Sequence, residues 1–144
     1  MPGDFEVIEH TADMALKVRG ATLDELFEAS AMGLARLLSP TEGIKSTEEH
    51  AFSVESGSLE RLLVEFLSEL VFLHETREML FSGFDVAISG PGGDGVYSVR
   101  ATARGEPFDP GRHLLDSPVK AVTQHMLAVD RTDDGWEATI VMDT

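Results

Sequence analysis

The chain has 144 residues, a length typical of one domain, so we expect a single domain spanning residues 1–144. Asp and Glu number 26 against 11 Lys and Arg, and the net charge of -15 argues against direct nucleic-acid binding, which requires basic surface. The chain has no cysteine, which excludes disulfides, thiolate zinc sites and cysteine nucleophiles.

The sequence carries no targeting signal of the usual kinds. Its first residues have neither the basic stretch nor the apolar run of a signal peptide. No window of about 18 residues is free of charges and helix breakers, as a transmembrane helix would require. We therefore expect a cytoplasmic protein that has no membrane partner.

Two short strands are predicted at the start of the chain. Phe5 and Val7 alternate with polar residues, and Leu16 and Val18 do the same a few residues later. Residues 10–13 therefore lie at the junction between two strands.

Two amphipathic helices are predicted next. The first starts at Thr22, whose spacing from Glu25 forms a capping box, and ends before Pro40. The second starts after Ser58 and reaches about Thr76, with one apolar stripe made of Leu62, Leu63, Phe66, Leu67, Leu70 and Val71. We expect the apolar stripe to cover a sheet. The opposite face, which carries Glu60, Glu65 and Glu69, is either solvated or a surface for a basic partner.

Alternating residues predict five further strands. These are placed at residues 51–55, 84–88, 96–103, 119–129 and 136–142, with an irregular segment at 105–118. The order is strand, strand, helix, strand, helix and four strands, which predicts an α+β fold with two helices packed on a mostly antiparallel sheet. The pattern does not predict the order of the strands in the sheet.

The glycine cluster at residues 90–95 formally matches a dinucleotide-binding fingerprint. That fingerprint requires a helix after the glycines, whereas the residues that follow here alternate as a strand. Asp94 and Gly95 are a common turn pair, so we predict a hairpin turn. The five histidines have no zincin spacing, and no serine lies in a nucleophile elbow.

Two carboxylates are the candidates for chemistry. Asp13 follows the first strand in a polar junction, and Asp143 is the penultimate residue, at the end of the last predicted strand. Two carboxylates and a main-chain carbonyl would suit a hard divalent cation, which prefers oxygen ligands. Alternatively, the two aspartates are solvent-exposed residues without a function, because nothing in the sequence brings them together.

Taken together, six ordered blocks of sequence resemble the archease family, and the resemblance covers nearly the whole chain. The blocks are FEVIEHTAD at 5–13, TLDELFEAS at 22–30, LLVEFLSEL at 62–70, GEPFDP at 105–110, VKAVT at 119–123 and VMDT at 141–144. This resemblance implies an archease-like sandwich fold.

The resemblance also implies a function. Members of the family are protein cofactors, not enzymes, that activate the RtcB-type RNA-splicing ligase by promoting its guanylylation and multiple turnover in tRNA splicing and RNA repair. It implies a divalent metal bound by Asp13, Asp143 and the main-chain oxygen of Thr144, with Ca²⁺ as the expected ion and Mg²⁺ or Mn²⁺ as alternatives. Lys120 matches a lysine expected to aid activation of the partner.

The chain departs from the family pattern at two positions. Gln124 stands where an aromatic residue is usual, and Thr144 replaces a terminal apolar residue. A carbonyl ligand does not depend on its side chain, so the second change leaves the expected metal site intact. Two other functions stay open: a chaperone for tRNA-modifying enzymes such as a tRNA cytosine methyltransferase, and a divalent-metal hydrolase that would turn over without a partner.

Overall fold

Seven strands and two helices follow one another in the predicted order within the part of the chain that the structure describes. The computed structural model describes residues 3–9, 13–40, 42–114 and 119–143; at Glu9, Asp13 and residues 124–126 the description covers the backbone alone. The elements are β1 (Asp4–Glu9), β2 (Asp13–Gly20), α1 (Leu23–Leu38), β3 (Glu48–Ser56), α2 (Leu59–Arg77), β4 (Met79–Ser89), β5 (Tyr97–Pro107), β6 (Ala121–Thr132) and β7 (Gly135–Asp143).

The strands form two separate antiparallel sheets. One sheet has four strands in the order β1-β2-β7-β6, and the other has three in the order β3-β5-β4. Helix α1 contacts β2 of the first sheet and β4 of the second, while α2 contacts β6 of the first and β3 of the second. The two helices therefore form a middle layer between the sheets. This confirms the α+β fold and shows that the predicted sheet is divided in two.

The burial pattern of the helices reflects their position between the two sheets. Helix α1 buries residues around most of its circumference, including Leu26, Phe27, Ala31, Leu34 and Leu38, because it has a sheet on either side. Phe66 of α2 lies at the centre of the core. Its ring centroid is 5.6 Å from that of Phe27 and 5.8 Å from that of Phe52 on β3. Such aromatic contacts add to the free energy gained from burying apolar area.

Side-chain hydrogen bonds define the starts of both helices. The Thr22 hydroxyl accepts a hydrogen bond from the Glu25 N–H at 3.2 Å, and the Ser58 hydroxyl accepts one from the Arg61 N–H at 3.2 Å. Both predicted caps are confirmed. They satisfy backbone donors that have no partner within the first turn of a helix. Neither of these two helices is long and apolar enough to cross a bilayer.

A carboxylate in the first turn of each helix also covers the outermost strand of a sheet. The Ile88 N–H of β4 donates to Asp24 Oδ1 at 2.8 Å, and the Val129 N–H of β6 donates to Glu60 Oε2 at 3.2 Å. Edge strands carry unpaired backbone groups that invite pairing with another chain. Asp24 and Glu60 therefore satisfy edge donors and tie each helix to a sheet.

Strands β4 and β5 extend furthest beyond their predicted limits. Strand β5 continues to Pro107, into the segment expected to be irregular, because it is the central strand of its sheet and pairs on both sides as far as Gly105. A Cβ at Gly105 would overlap the carbonyl oxygen of Leu80, so glycine permits this close pairing with β4. Strand β4 starts at Met79, earlier than predicted. A register shift between Phe81 and Gly83 interrupts the alternation of the strand, so the sequence pattern did not reveal its first residues.

The glycine cluster is the hairpin turn between β4 and β5, as predicted. The Gly95 N–H donates to the Gly92 carbonyl at 2.9 Å, and the Val96 N–H donates to Asp94 Oδ1 at 3.0 Å. Gly90 has φ of 105° and Gly95 has φ of 78°, a region that glycine adopts without steric cost. No helix follows the turn, so the dinucleotide-binding interpretation is wrong.

Candidate functional site

The two candidate aspartates come together at one end of the four-stranded sheet. Asp13 at the start of β2 is the register partner of Asp143 at the end of β7, and Asp143 is paired on its other side with Ala121 of β6. Directly opposite positions in an antiparallel pair have Cβ atoms about 4.5–5.5 Å apart. Residues from opposite ends of the chain are thus placed side by side.

Asp143 lies on the sheet face that points away from the helices. On β7, Ala138, Ile140 and Met142 are buried against the helices, and alternation places Asp143 on the other face, where it is exposed. Asp13 occupies the matching register position on β2. The site is therefore open to a partner without any movement of the helix layer.

The neighbouring row of this face is mainly apolar. Across the four strands, this row runs from Ile8 through Ala15 and Val141 to Thr123. Ala15 is 3% exposed and Val141 is 7% exposed, although both lie on the face away from the helices. The register row next to Asp143 is therefore mainly apolar and buried at its two central strands, whereas Asp143 itself is exposed.

Lys120 lies next to the aspartate pair. Its backbone N–H donates to the Asp143 carbonyl oxygen at 2.9 Å, and its side chain is exposed. This bond holds the end of β7 against the chain that enters β6. The backbones of Asp13, Asp143 and Lys120 therefore lie next to one another at this end of the sheet. The expected main-chain ligand, Thr144, lies outside the described residues.

The described residues contain no group of three or more His, Asp or Glu side chains arranged to hold a metal ion. The Asp13 side chain is not among those described; the donors expected for a metal site are the carboxylates of two register partners and one main-chain oxygen. Carboxylate and carbonyl oxygens are the ligands that Ca²⁺ and Mg²⁺ select. The donor chemistry at this end of the sheet thus suits the expected class of ion.

A second polar cluster, not anticipated from the sequence, lies after β5. Glu106 is 6% exposed and His113 is 4% exposed. Glu106 accepts hydrogen bonds from the Lys45 backbone N–H at 2.6 Å and from Arg112 Nη2 at 2.6 Å, and its Oε2 lies 3.2 Å from His113 Nε2. The Lys45 N–H, together with Arg112 and His113, lowers the pKa of Glu106 from 4.5 to about 2, against the opposing effect of burial.

The hydrogen bonds of His113 indicate its tautomer. The Asp109 N–H donates to His113 Nδ1 at 2.8 Å, so Nδ1 is an acceptor and the ring proton is on Nε2, directed at Glu106. Arg112 Nη2, which lies 2.9 Å from the same Nε2, directs its hydrogen bond to Glu106 Oε1 instead. The cluster closes a compact turn over residues 109–113.

This turn connects the core to the candidate site. The Ser39 hydroxyl donates to the Leu114 carbonyl, and the Phe108 N–H donates to the Glu78 carbonyl at 2.7 Å. The chain reaches Lys120 a few residues after Leu114. Glu106 and His113 lack any standard motif spacing, so only the GEPFDP block hinted at a role for this segment.

A depression in the described surface lies elsewhere. It has a volume of about 540 Å³ on the outer face of the three-stranded sheet, between Ala51, Ala87, Arg100 and Thr102. It contains none of the predicted site residues. A shallow polar trough is expected where small side chains of an antiparallel sheet face solvent.

Comparison with known proteins gives the same assignment over nearly the whole chain. Residues 5–144 match the model of the Archease protein family (MTH1598/TM1083). The archease of Methanopyrus kandleri is 41% identical over 139 residues, which cover 96% of this chain and 98% of that protein. The archease of Pyrococcus furiosus is 40% identical over 140 residues, which cover 96% of this chain and 97% of that protein.

Solved structures agree with the fold. The solution structure of protein 1598 from Methanobacterium thermoautotrophicum superposes with a TM-score of 0.84 at 33% identity, covering 97% of this chain and 98% of that one. The crystal structure of a Thermotoga maritima archease, described as a possible chaperone, superposes with a TM-score of 0.61 at 22% identity, covering 95% and 94%. The chain therefore belongs to the archease family.

Proposed function

We propose that this protein activates an RtcB-type RNA-splicing ligase, and that Asp13, Asp143 and the main-chain oxygen of Thr144 bind a divalent cation, most readily Ca²⁺, in doing so. The observation that carries the proposal is the register pairing of Asp13 with Asp143 at an exposed end of the four-stranded sheet. Membership of the archease family supports it. The protein itself is proposed to be non-catalytic.

The charges at this end of the sheet support a cation. Like charges in directly opposite positions of an antiparallel pair are destabilising. A bound cation would neutralise the two carboxylates and offer positive charge to phosphate oxygens of a partner's nucleotide. A purely structural ion, which only pins β7 against β2, is the alternative role.

Lys120 is proposed to act beside this pair. Its backbone N–H fixes the Asp143 carbonyl, while its exposed side chain is proposed to contact the partner. Substitution of Lys120 by alanine removes the side chain but keeps the backbone N–H. The variant therefore separates the role of the side chain from that of the backbone hydrogen bond.

The overall charge favours a basic protein partner. A ligase that binds RNA needs basic surface, and a net charge of -15 would steer this protein towards it and raise the rate of encounter. We propose that the end of the sheet carrying Asp13 and Asp143 is presented near the ligase active site, in competition with RNA for the same basic surface.

A multiple-turnover ligation assay tests the proposal. The cognate ligase, GTP and a divalent metal are combined with substoichiometric amounts of the native protein, Asp143→Ala or Lys120→Ala. Asp133→Ala, which removes an equal charge from the exposed turn between β6 and β7, is the matched control.

We expect acceleration by the native protein and by Asp133→Ala, at least tenfold less by Asp143→Ala, and an intermediate result for Lys120→Ala. Melting temperatures measured without added metal check that each variant is folded, and lost activation in a folded Asp143→Ala would favour a functional cation over a purely structural one. No acceleration by the folded native protein would contradict the activator role.

A chaperone for tRNA-modifying enzymes, such as a tRNA cytosine methyltransferase, is the second candidate. It is favoured by the description of the Thermotoga maritima archease as a possible chaperone. A chaperone of this kind would suppress aggregation of its client at stoichiometric amounts and without added metal. An aggregation assay in the presence of a chelator therefore distinguishes the two functions.

A further inference from the structure

One exposed aromatic side chain breaks the polar pattern of α2. Phe72 is 56% exposed and lies on the outward stripe of the helix. The other exposed positions of that stripe are all polar, namely Arg61, Glu65, Ser68, Glu75 and Thr76. A helix that packs against a core normally keeps such a stripe polar, so a large exposed aromatic here departs from the rule the rest of α2 follows.

Carboxylates surround Phe72 along the helix. Glu69 and Glu75 lie three positions before and after it, and Glu65 lies two turns before it, so all are neighbours on one helical surface. Within the described part of the chain, none of these three glutamates forms an ion pair. The surface thus combines one exposed aromatic side chain with three glutamates that have no ion-pair partner among the described residues.

This combination defines the chemistry of a partner. Aromatic side chains inserted in a pocket often contribute most of the binding energy of an interface, and charges around the anchor set specificity and the rate of association. The complementary surface has an apolar pocket bordered by Lys or Arg. Pairing of this surface with the same surface of a second copy does not fit, because both carry the same negative charges.

The C-terminal end of α2 is hydrogen-bonded to the segment that precedes Lys120 in the sequence. The residue that ends this helix, Glu78, accepts a hydrogen bond from the Phe108 N–H at 2.7 Å, and the segment that begins there leads to Lys120. Helix α2 lies in the layer behind the sheet, whereas Asp143 is on the opposite sheet face. Docking and presentation of the aspartates would therefore use different residues.

We propose that the α2 surface formed by Phe72, Glu65, Glu69 and Glu75 is the docking surface for a basic, pocket-bearing face of the RNA ligase. This inference rests on the proposed function. It assigns two functions to two surfaces. The α2 surface sets the affinity for the ligase, and the end of the sheet that carries Asp13 and Asp143 sets the extent of activation once the ligase is bound.

The test measures affinity and maximal activation separately. Binding of the purified ligase is measured by calorimetry for the native protein, Phe72→Ala, the double variant Glu69→Gln/Glu75→Gln, and two controls. The controls are Val7→Ala, which trims another exposed apolar residue, and Glu28→Gln, which removes an exposed charge from α1. Thermal unfolding checks that every variant is folded.

We expect Phe72→Ala to raise the Kd at least tenfold and to reach native activation when added at saturating concentration. The double variant should raise the Kd and weaken its dependence on salt, while both controls bind as the native protein does. Asp143→Ala should show the reverse behaviour, with native affinity and reduced maximal activation.

The outcomes separate the two proposals. Native affinity in folded Phe72→Ala overturns the docking surface and leaves the activator role standing. Tight binding of the native protein without any activation overturns the proposed function, while the effect of Phe72→Ala on the Kd still decides the docking surface. A native protein that does not bind the ligase overturns both.

Discussion

His113 Nε2 lies 3.2 Å from Glu106 Oε2, and both residues are almost completely buried beside the core. Arg112 and the Lys45 N–H complete the hydrogen bonding of the Glu106 carboxylate. A buried charge is tolerated when it is paired and hydrogen-bonded in this way. The cluster joins the loop before β3 to the segment that leads to Lys120.

Glu106→Gln should lower the melting temperature. The amide keeps the volume but removes the negative charge that Arg112 and His113 face, and its NH₂ group cannot accept one of the hydrogen bonds that the carboxylate accepts. Thermal unfolding followed by circular dichroism measures the change. Glu49→Gln, an exposed position on β3, is the control and should leave the melting temperature within error of native. Equal melting temperatures for the two variants would contradict the stabilising role of the cluster.

The contribution of Glu106 should depend on pH in a defined range. Its pKa is lowered from 4.5 to about 2 in the folded protein, first by the Lys45 backbone N–H and then by Arg112 and His113. A lowered pKa means that the stabilisation is full above about pH 4.5 and is lost as the pH falls towards 2. The difference in unfolding free energy between native protein and Glu106→Gln should therefore be constant near neutrality and shrink below pH 4.5. Urea unfolding across this range measures it; a difference that grows on acidification would refute the assignment.

Added Ca²⁺ should stabilise the native protein. A ligand that binds only the folded state at 100 times its Kd contributes about 2.7 kcal/mol. Melting temperature should rise with Ca²⁺ and return to its starting value with a chelator. Asp143→Ala should show no rise, whereas the matched variant Asp133→Ala should respond as the native protein does. A full response in Asp143→Ala would place the ion elsewhere.

Asp24→Ala should destabilise the protein by about 1 kcal/mol, because the Ile88 N–H at the edge of the three-stranded sheet loses its acceptor. Asp24→Asn keeps a side-chain oxygen and should lose less. Glu28→Ala, one turn further along α1 and also exposed, serves as the control for removal of a negative charge from the helix. Denaturant unfolding measures all three, and equal losses for Asp24→Ala and Glu28→Ala would show that the edge hydrogen bond contributes nothing.

Local sequence patterns predicted the elements well for a physical reason. The caps at Thr22 and Ser58 and the turn at residues 90–95 depend on hydrogen bonds between residues a few positions apart, so their signals are contained in short windows. The pattern failed at Phe81 and Gly83, where a register shift breaks alternation, and at Pro107, where pairing with β4 continues the strand. Pairing with a distant strand outweighed the local preference at those positions.

The sequence by itself determined the helices, the number and order of strands along the chain, and the two aspartates worth attention, because periodicity, caps and residue chemistry are local properties. Only the tertiary structure decided that the strands divide into two sheets with the helices between them. It alone also made Asp13 the register partner of Asp143 and buried Glu106 with His113. Strand order and register depend on which distant surfaces pack together, and that free energy belongs to the assembled core, not to any segment of the chain.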